Sequence, residues 1–237
     1  AHYDALTGLP SLRLCKDRME EAFSQAKHGN KQVALMFVDL DGFKSVNDNY
    51  GHDAGDQVLK AVGQRLSALV GAEDTVGRIG GDEFAIVLEK LENFYAGSSV
   101  AEKLLDLFQT PFPLEKESVS IAASLGIACY PESAKTVEDL FKYANRAMLN
   151  AKEDHGSSFR YYNQEMNTVL TRILQLEAEF RLAIRTNQLR LHYQPRIDIA
   201  NNEIVGMECL VRWEHPERGL LGPDECIELA EKPGMIV

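Results

Sequence analysis

Hydrophobic positions along the chain follow two periods, one typical of helices and one typical of strands. Apolar residues at every third or fourth position predict amphipathic helices, whereas short apolar runs bounded by Gly or Pro predict buried strands. Helices are predicted over residues 10–28, 43–49, 53–70, 98–108 and 137–153, and strands over residues 31–40, 75–79, 83–88, 119–129 and 159–162. This order predicts an α/β (α+β) sandwich, with a central sheet and flanking helices, over about 160 residues.

A second pattern begins after residue 164. It predicts a helix over residues 165–185, strands over residues 189–194 and 204–213, and a helix opened by Pro223-Asp224. Two strands and two helices cannot close a barrel. The sequence therefore predicts two domains, residues 1–164 and residues 165–237, of which the second is a truncated fragment.

Composition narrows the classes of function. The chain has 237 residues, 45% hydrophobic and 26% charged, which is ordinary for a soluble domain with a packed core. A formal net charge of -11 disfavours nucleic-acid binding, which needs clustered Lys and Arg. The densest apolar run, Val33–Val38, is far too short to span a bilayer. We expect a cytoplasmic piece of a longer protein without direct membrane contact, with any sensor or membrane anchor outside these residues.

Acidic residues end one predicted strand and follow a tight turn between two others. Asp39 ends a buried strand, and Asp82 and Glu83 follow a Gly-Gly turn. If both segments lie in one sheet with adjacent ends, the three carboxylates converge, and such crowded charges need a compensating cation. Mg²⁺ takes hard oxygen ligands and bridges phosphates, so two ions there would activate a hydroxyl and steady a leaving pyrophosphate. The alternative is a hairpin whose acids are merely solvated.

The segment that follows has features of a nucleotide site. Asp41 is expected to N-cap a helix beginning near Phe43, whose free N–H groups suit a phosphate. Lys44 adds positive charge there, although alone it would be an ordinary surface lysine. Asn47 and Asp56 then complete a possible guanine pocket, because a carboxylate accepts from the N1 and N2 donors, and adenine lacks the N2 donors. Asp56 also fits an acid in the first turn of a helix.

Six motifs bring these residues together in one order and spacing. They are Asp4-Ala-Leu-Thr-Gly-Leu-Pro10, Phe37-Val-Asp-Leu-Asp-Gly-Phe-Lys44, Asn47-Asp48, Gly51-His52, Gly55-Asp56 and Arg78-Ile-Gly-Gly-Asp-Glu-Phe84. Over residues 1–164 the chain thereby resembles the GGDEF diguanylate cyclase family. The resemblance implies a palm-like domain that joins two GTP molecules into cyclic di-GMP and releases pyrophosphate. It also implies a homodimer, in which each protomer holds one GTP.

The resemblance assigns roles to residues of this sequence. It implies a Mg²⁺ (or Mn²⁺) site formed by Asp39, Asp82 and the Leu40 carbonyl. The implied catalytic residues are Lys44, Asp82 and Glu83. The implied GTP-binding residues are Phe43, Lys44, Asn47, His52, Asp56 and Lys152.

Two departures from the family pattern bear on activity. Asp74 matches the acid of an RxxD product-inhibition site, but Gly71 stands at the Arg position, which argues against tight product inhibition. After Lys152 the family usually has Gly followed by Arg or Lys, whereas here the run is Glu153-Asp-His-Gly-Ser157. Losing one charged hydrogen bond costs about 1.5–3 kcal/mol, so activity is expected to be reduced without being abolished.

The second domain resembles the opening of an EAL phosphodiesterase, a (β/α) barrel that hydrolyses cyclic di-GMP. The motifs are Leu191-His-Tyr-Gln-Pro195, Gly206, Glu208-Cys-Leu-Val-Arg-Trp213, His215-Pro216 and Ile227-Glu-Leu-Ala-Glu231. Glu208 takes the place of the metal-ligand glutamate, and Gln194 and Arg212 match ligand-contacting positions. The remaining metal ligands would lie beyond Val237, so this fragment is not expected to hydrolyse cyclic di-GMP.

Three functions remain open from the sequence. The first is an active cyclase, which the intact carboxylate and guanine-reading residues favour. The second is a GTP-binding regulatory domain that tunes a downstream EAL phosphodiesterase, which the composite architecture and the missing cation near Gly156 favour. The third is a scaffold that does not bind GTP, and such a protein would have little use for the whole acidic set.

Overall fold

The computed structural model describes residues 2–29, 31–114, 117–154, 156–224 and 226. The chain divides into two compact units, Ala1–Asn167 and Thr168–Val237. Among the described residues, none of the helices has the length and apolar character needed to cross a bilayer.

The first unit contains the predicted succession of helices and strands. Its helices are α1 (Leu12–Gly29), α2 (Phe43–Tyr50), α3 (His52–Leu69), α4 (Phe94–Gln109) and α5 (Val137–Ala151). Its strands are β1 (Gln32–Asp41), β2 (Thr75–Gly80), β3 (Glu83–Leu91), β4 (Phe112–Pro113), β5 (Ser118–Val119), β6 (Ala122–Tyr130) and β7 (Ser158–Tyr161). A further helix, α6 (Gln164–Arg185), follows them.

Five strands form one sheet in the order β2-β3-β1-β6-β7. Neighbouring strands are antiparallel, except that β6 and β7 are parallel. The central strand β1 is buried along its middle, which agrees with its continuous apolar sequence. Its side chains alternate between two cores, and those of Val33, Leu35 and Phe37 pack with α1 and α5.

The opposite face of the sheet carries α3 and α4. A Cβ at Gly97 of α4 would be in van der Waals contact with Met36, and a Cβ at Gly63 of α3 would be in contact with Phe84. The sheet is thus covered by helices on both faces, which confirms the predicted sandwich. It also leaves the ends of β1 and β3 at the rim between the layers, where the acidic residues lie.

Two boundaries differ from the predicted ones. The expected strand over residues 119–129 is divided, because β5 pairs with β4 in a separate small hairpin and β6 begins only at Ala122. Helix α4 begins at Phe94, four residues earlier than predicted, since the Asn93 side chain accepts a hydrogen bond from Ala96 N at 3.1 Å and caps it.

The second unit is a three-stranded antiparallel sheet with helical cover. Its strands are β8 (Leu189–Asp198), β9 (Glu203–His215) and β10 (Gly219–Leu221), in the order β10-β9-β8. Phe180, Ala183, Trp213 and Cys226 form its core. The described residues of this unit form an open sheet and no closed barrel. Pro223 and Asp224 are helical, whereas the predicted motif at residues 227–231 lies outside the described residues.

Candidate active site

The carboxylates of the two acidic segments meet at one rim of the sheet. Asp39 lies directly opposite Glu83 across the β1–β3 ladder, and Leu40 N donates to Asp82 O at 3.3 Å. Directly opposed residues of antiparallel strands project from the same face. Asp39 is only 5% exposed, whereas Asp82 and Glu83 are half-buried. The ends of the two acidic segments are therefore adjacent. This adjacency is the condition under which the sequence predicts that the three carboxylates come together.

The turn that carries Asp82 is fixed by Arg78. Gly81 has a left-handed φ of 55°, a conformation that favours glycine. The Arg78 guanidinium donates to Gly81 O at 2.7 and 3.1 Å and to the Asp4 carboxylate at 3.1 and 3.3 Å. Asp4 in turn accepts from Thr7 N and Thr7 Oγ1. The first motif of the chain therefore buttresses the glycine turn, a role that the sequence did not predict.

Lys152 compensates part of the negative charge. It is the C-cap residue of α5, and its Nζ lies 2.8 Å from Asp39 Oδ1. Partial burial acts to lower the pKa of Lys152, but the hydrogen bond to Asp39 and the surrounding carboxylates outweigh it and raise that pKa. Burial raises the pKa of Glu83, and the charges of Asp39 and Asp82 raise it further. Crowding of like charges is thus present at this rim.

Asp41 is not the N-cap of α2, contrary to expectation. Gly42 occupies the N-cap with a left-handed φ of 72° and without a side-chain cap bond. The Asp41 carboxylate instead accepts from Ser124 Oγ on β6, at 3.0 Å for each oxygen. Burial raises the pKa of Asp41, and the Ser124 hydrogen bond opposes this shift. Asp39 and Asp41 are two residues apart on one strand, so they share a face.

The predicted nucleotide residues surround the junction between α2 and α3. Phe43 is buried at the first position of α2, and Lys44 beside it is exposed. A Cβ at Gly55 would collide with Asn47 Oδ1 and crowd Phe43. Glycine therefore lets the start of α3 pack closely against α2, with the Asn47 amide held at the junction.

The two other predicted guanosine contacts are exposed near this junction. His52 is the first residue of α3, and Asp56 lies four residues later. The acid in the first turn of α3 is Asp53, so the alternative role of Asp56 as a first-turn acid does not hold. The exposed carboxylate of Asp56 is accessible to a ligand.

The positions that depart from the family pattern have local partners. Asp74 accepts from Gly71 N and from Glu89 N, at 2.9 Å each, so its carboxylate shapes the entry to β2. After Lys152, the Arg160 guanidinium makes a bidentate pair with Asp154 at 2.9 and 3.0 Å. Of the run that replaces the family's cation, His155 lies outside the described residues.

The residues at this rim fit a hard divalent cation in their donor chemistry. Asp39, Asp82 and the Leu40 carbonyl offer oxygen ligands only, which Mg²⁺ and Mn²⁺ accept. In the described part of the chain, no group of three or more His, Cys, Asp or Glu side chains is arranged to hold a metal. The predicted set has two side chains and one carbonyl, and phosphate oxygens of a nucleotide would complete it.

The candidate residues of the second unit share one face of its sheet. Gln194 on β8 lies directly opposite Glu208 on β9, and Arg212 lies opposite Arg190. Side chains alternate between the two faces of a strand, and Arg212 and Glu208 are four residues apart on a regular part of β9. They therefore project from the same face of the sheet. Gln194 and Glu208 are exposed and Arg212 is half-buried. The three predicted positions are therefore brought together on a polar, open surface.

Comparison with known proteins assigns the family. Residues 1–158 match the family described as "Diguanylate cyclase, GGDEF domain", and residues 177–237 match the family described as "EAL domain". The chain therefore belongs to the GGDEF diguanylate cyclase domain family and carries an EAL segment after it. This confirms the resemblance seen in the sequence.

Two curated relatives match this chain along its whole length. The chain is 42% identical over 237 residues to "Bifunctional diguanylate cyclase/cyclic di-GMP phosphodiesterase MucR" of Pseudomonas aeruginosa, covering all of this chain and 34% of that protein. It is 38% identical over 236 residues to "Cyclic di-GMP phosphodiesterase NbdA" of the same organism, covering all of this chain and 30% of that protein. The chain thus spans about a third of the length of these relatives.

Solved structures agree with the fold of the first unit. The GGDEF domain of YfiN (TpbB) from Pseudomonas aeruginosa is 36% identical with a TM-score of 0.64, covering 65% of this chain and 97% of that one. The GGDEF domain of DgcB from Caulobacter crescentus, solved in complex with c-di-GMP, has a TM-score of 0.63 at 23% identity, covering 68% of this chain and 96% of that one. The latter likeness concerns the fold alone.

Proposed function

We propose that this chain is a diguanylate cyclase that condenses two GTP molecules into cyclic di-GMP and releases two pyrophosphates. The observation that carries the proposal is the pairing of Asp39 with Glu83 across β1 and β3, beside the Arg78-buttressed turn of Asp82. Membership of the GGDEF family and the composite relative MucR support it. The substrate is GTP, and a homodimer is required because each protomer supplies one GTP.

The residues of the chain would divide the chemistry among them. Mg²⁺ or Mn²⁺ held by Asp39, Asp82 and the Leu40 carbonyl would supply positive charge to the phosphates and acidify the attacking hydroxyl. Asp82, with Glu83 beside it, would accept the proton of the 3′-hydroxyl as that oxygen bonds to the α-phosphorus. The bond from the α-phosphorus to the pyrophosphate oxygen breaks, and the pyrophosphate leaves with the electron pair.

Positioning of the two nucleotides falls to the other predicted residues. Lys44 and Lys152 would contact the phosphates, and Lys44 would stabilise charge in the transition state. Asn47 and Asp56 would read the guanine edge, with Phe43 and His52 nearby. A second, reciprocal attack between the two GTP molecules then closes the ring.

Product formation tests the proposal directly. The chain is incubated with GTP and Mg²⁺, and the products are separated by chromatography. We expect cyclic di-GMP from the parent chain and from Glu20→Ala, an exposed acid on α1, but none from Asp82→Ala or Glu83→Ala. Equal product from the parent and the Asp82 and Glu83 variants would refute the site.

A second function is favoured by the run after Lys152. The family's cation is missing near Gly156, and the relative NbdA is named as a phosphodiesterase. In this alternative the domain binds GTP without converting it and tunes a downstream EAL domain. GTP binding by calorimetry in Mg²⁺, together with absence of product at high protein concentration, would favour this function over the cyclase.

A further inference from the structure

Lys152 lies where a divalent cation is expected. Its Nζ is 2.8 Å from Asp39 Oδ1, and its side chain is 37% exposed, whereas that of Asp39 is 8% exposed. The charges of Asp41 and Asp82 also act on the ammonium group. A buried carboxylate next to other acids requires a positive partner. In this structure the Lys152 ammonium group provides that partner for Asp39.

The backbone of Lys152 is held firmly while its side chain keeps freedom to move. A Cβ at Gly126 on β6 would collide with Ala144 O and Met148 N, so α5 lies with its backbone directly on the sheet. Lys152 follows as the C-cap of this helix. Its four-carbon stem is flexible, and its outer part reaches solvent. The ammonium group can therefore leave Asp39 without movement of the helix.

We propose that Lys152 and a divalent cation compete for Asp39, and that metal binding releases the Lys152 ammonium to the triphosphate of the nucleotide. This inference rests on the proposed metal and GTP site. Before metal binds, Lys152 neutralises Asp39 and limits the repulsion among the acids. After metal binds, repulsion between the metal ion and the ammonium group weakens the contact of Lys152 with Asp39, so the lysine turns to the nearest remaining anion. Metal entry thus prepares the phosphate site.

Competition predicts that replacing Lys152 changes metal affinity and nucleotide affinity in opposite directions. Replacing Lys152 with Met removes a competitor for Asp39, so metal alone should bind more tightly. The same change removes a phosphate contact, so a nucleotide should bind more weakly once metal is present. A lysine that merely stabilises the fold would weaken both, and a lysine that only contacts phosphate would leave metal binding unchanged.

The test compares Lys152→Met with Lys142→Met, an exposed lysine on the same helix, in the complete chain. Free Mn²⁺ is measured by electron paramagnetic resonance without nucleotide. Binding of a GTP analogue is then measured by calorimetry at saturating Mn²⁺, and the α,β-bridging oxygen of this analogue is a methylene, which prevents pyrophosphate release. We expect Lys152→Met to tighten Mn²⁺ binding about threefold to tenfold and to weaken analogue binding by about tenfold. Lys142→Met should change neither.

The Asp39→Asn background supplies the decisive comparison. There the tightening of Mn²⁺ binding by Lys152→Met should disappear, because the shared ligand is gone. Unchanged or weaker Mn²⁺ binding in Lys152→Met, or tightening that persists in Asp39→Asn, would overturn the inference. Cyclic di-GMP formation by the parent chain, measured in parallel, tests the proposed function separately, since a productive enzyme without the Mn²⁺ effect would refute the competition alone.

Discussion

Ser124 Oγ donates to the Asp41 carboxylate, at 3.0 Å to each of its oxygens. The two residues lie on neighbouring strands, β6 and β1, and are 83 positions apart in the sequence. Ser124 is fully buried, so its hydroxyl needs this acceptor. The hydrogen bond fixes the last side chain of β1 at the rim where the other acids converge.

Replacing Ser124 with Ala should therefore destabilise the first unit and loosen its acidic rim. This partly buried hydrogen bond to a charged group contributes about 1.5–3 kcal/mol, and its loss leaves Asp41 with less compensation for its partial burial. We expect a lower free energy of unfolding in urea, followed by far-ultraviolet circular dichroism. Ser120→Ala, at an exposed position, should change it by less than about 0.5 kcal/mol. Equal effects of both substitutions would contradict the structural role of Ser124.

Arg78 should also stabilise the first unit, because it holds the glycine turn that carries Asp82. Its guanidinium joins Asp4 to Gly81 O and is only 12% exposed. Arg78→Met therefore removes the charged partner of a partly buried carboxylate, which keeps only its Thr7 donors, and removes the side-chain donors to Gly81 O. We expect a loss of about 2–3 kcal/mol and faster amide exchange at residues 80–83.

The exposed Lys90–Glu73 pair is a matched control for Arg78. Its side chains are 50% and 64% exposed, so Lys90→Met should cost under about 0.5 kcal/mol. Unchanged exchange at the turn in Arg78→Met would show that the turn is held by other contacts.

The main elements of the fold could be predicted because their signals are local. The apolar run from Val33 to Val38 is long enough for one strand only, and it became the central strand β1. The hairpin of β4 and β5 was missed because its cause is distant in sequence. Arg65 of α3 donates to Thr110 O and Pro111 O and lies 3.9 Å from the Phe112 ring centroid. No periodicity reveals such a contact.

The sequence was sufficient to predict which residues form the candidate site. It predicted only some of the contacts that these residues make. The sequence indicated that Asp39 and Glu83 approach each other if their strands pair, and the β1–β3 ladder pairs them. It gave Asp41 a local capping role, because Asp before a helix is a strong local signal. The actual partner, Ser124, depends on strand order, which sequence spacing does not encode.

Gly126 should tolerate no side chain. Any Cβ there meets backbone atoms of α5, which cannot move without leaving the sheet. We expect Gly126→Ala to cost about 3 kcal/mol or more, measured by thermal and urea unfolding, and to displace Lys152 from Asp39. Gly29→Ala, at the end of α1 with only an ordinary contact to Lys31, should be neutral or slightly stabilising. A mild effect of Gly126→Ala would mean that α5 can shift.

The preference for GTP over ATP should depend on Asp56 and not on Asp53, the acid in the first turn of the same helix. If Asp56 accepts from the N1 and N2 donors of guanine, Asp56→Ala should weaken GTP binding by about tenfold or more and leave ATP binding unchanged. Asp53→Ala, which removes an exposed acid from the first turn of the same helix, should preserve the preference for GTP. Calorimetric titrations with both nucleotides decide the matter. If both variants lost the preference for GTP equally, the preference would depend on the overall negative charge of this helix and not on a contact of Asp56 with guanine.

The second unit offers a pH test that is independent of any metal. His215 Nδ1 accepts from Glu217 N and Arg218 N, so its Nε2 carries the proton and donates to Glu179 at 2.8 Å. This hydrogen bond, aided by Gln175, lowers the pKa of Glu179 below its ordinary value of 4.5. A lowered carboxyl pKa contributes stability that is present above the unfolded pKa and is lost as pH falls through the folded pKa.

Glu179→Gln should therefore destabilise the second unit at pH 7, and this difference should shrink as the pH falls below 4.5 and Glu179 becomes protonated. The expected difference at pH 7 is below about 1 kcal/mol, because the Glu179 side chain is 29% exposed. Trp213, the sole tryptophan of the chain, packs 4.7 Å from the His215 ring and reports unfolding of this unit by fluorescence. Glu203→Gln, at an exposed position, is the control. A difference between the parent and Glu179→Gln that stayed constant with pH would show that packing, rather than the charge of Glu179, stabilises this contact.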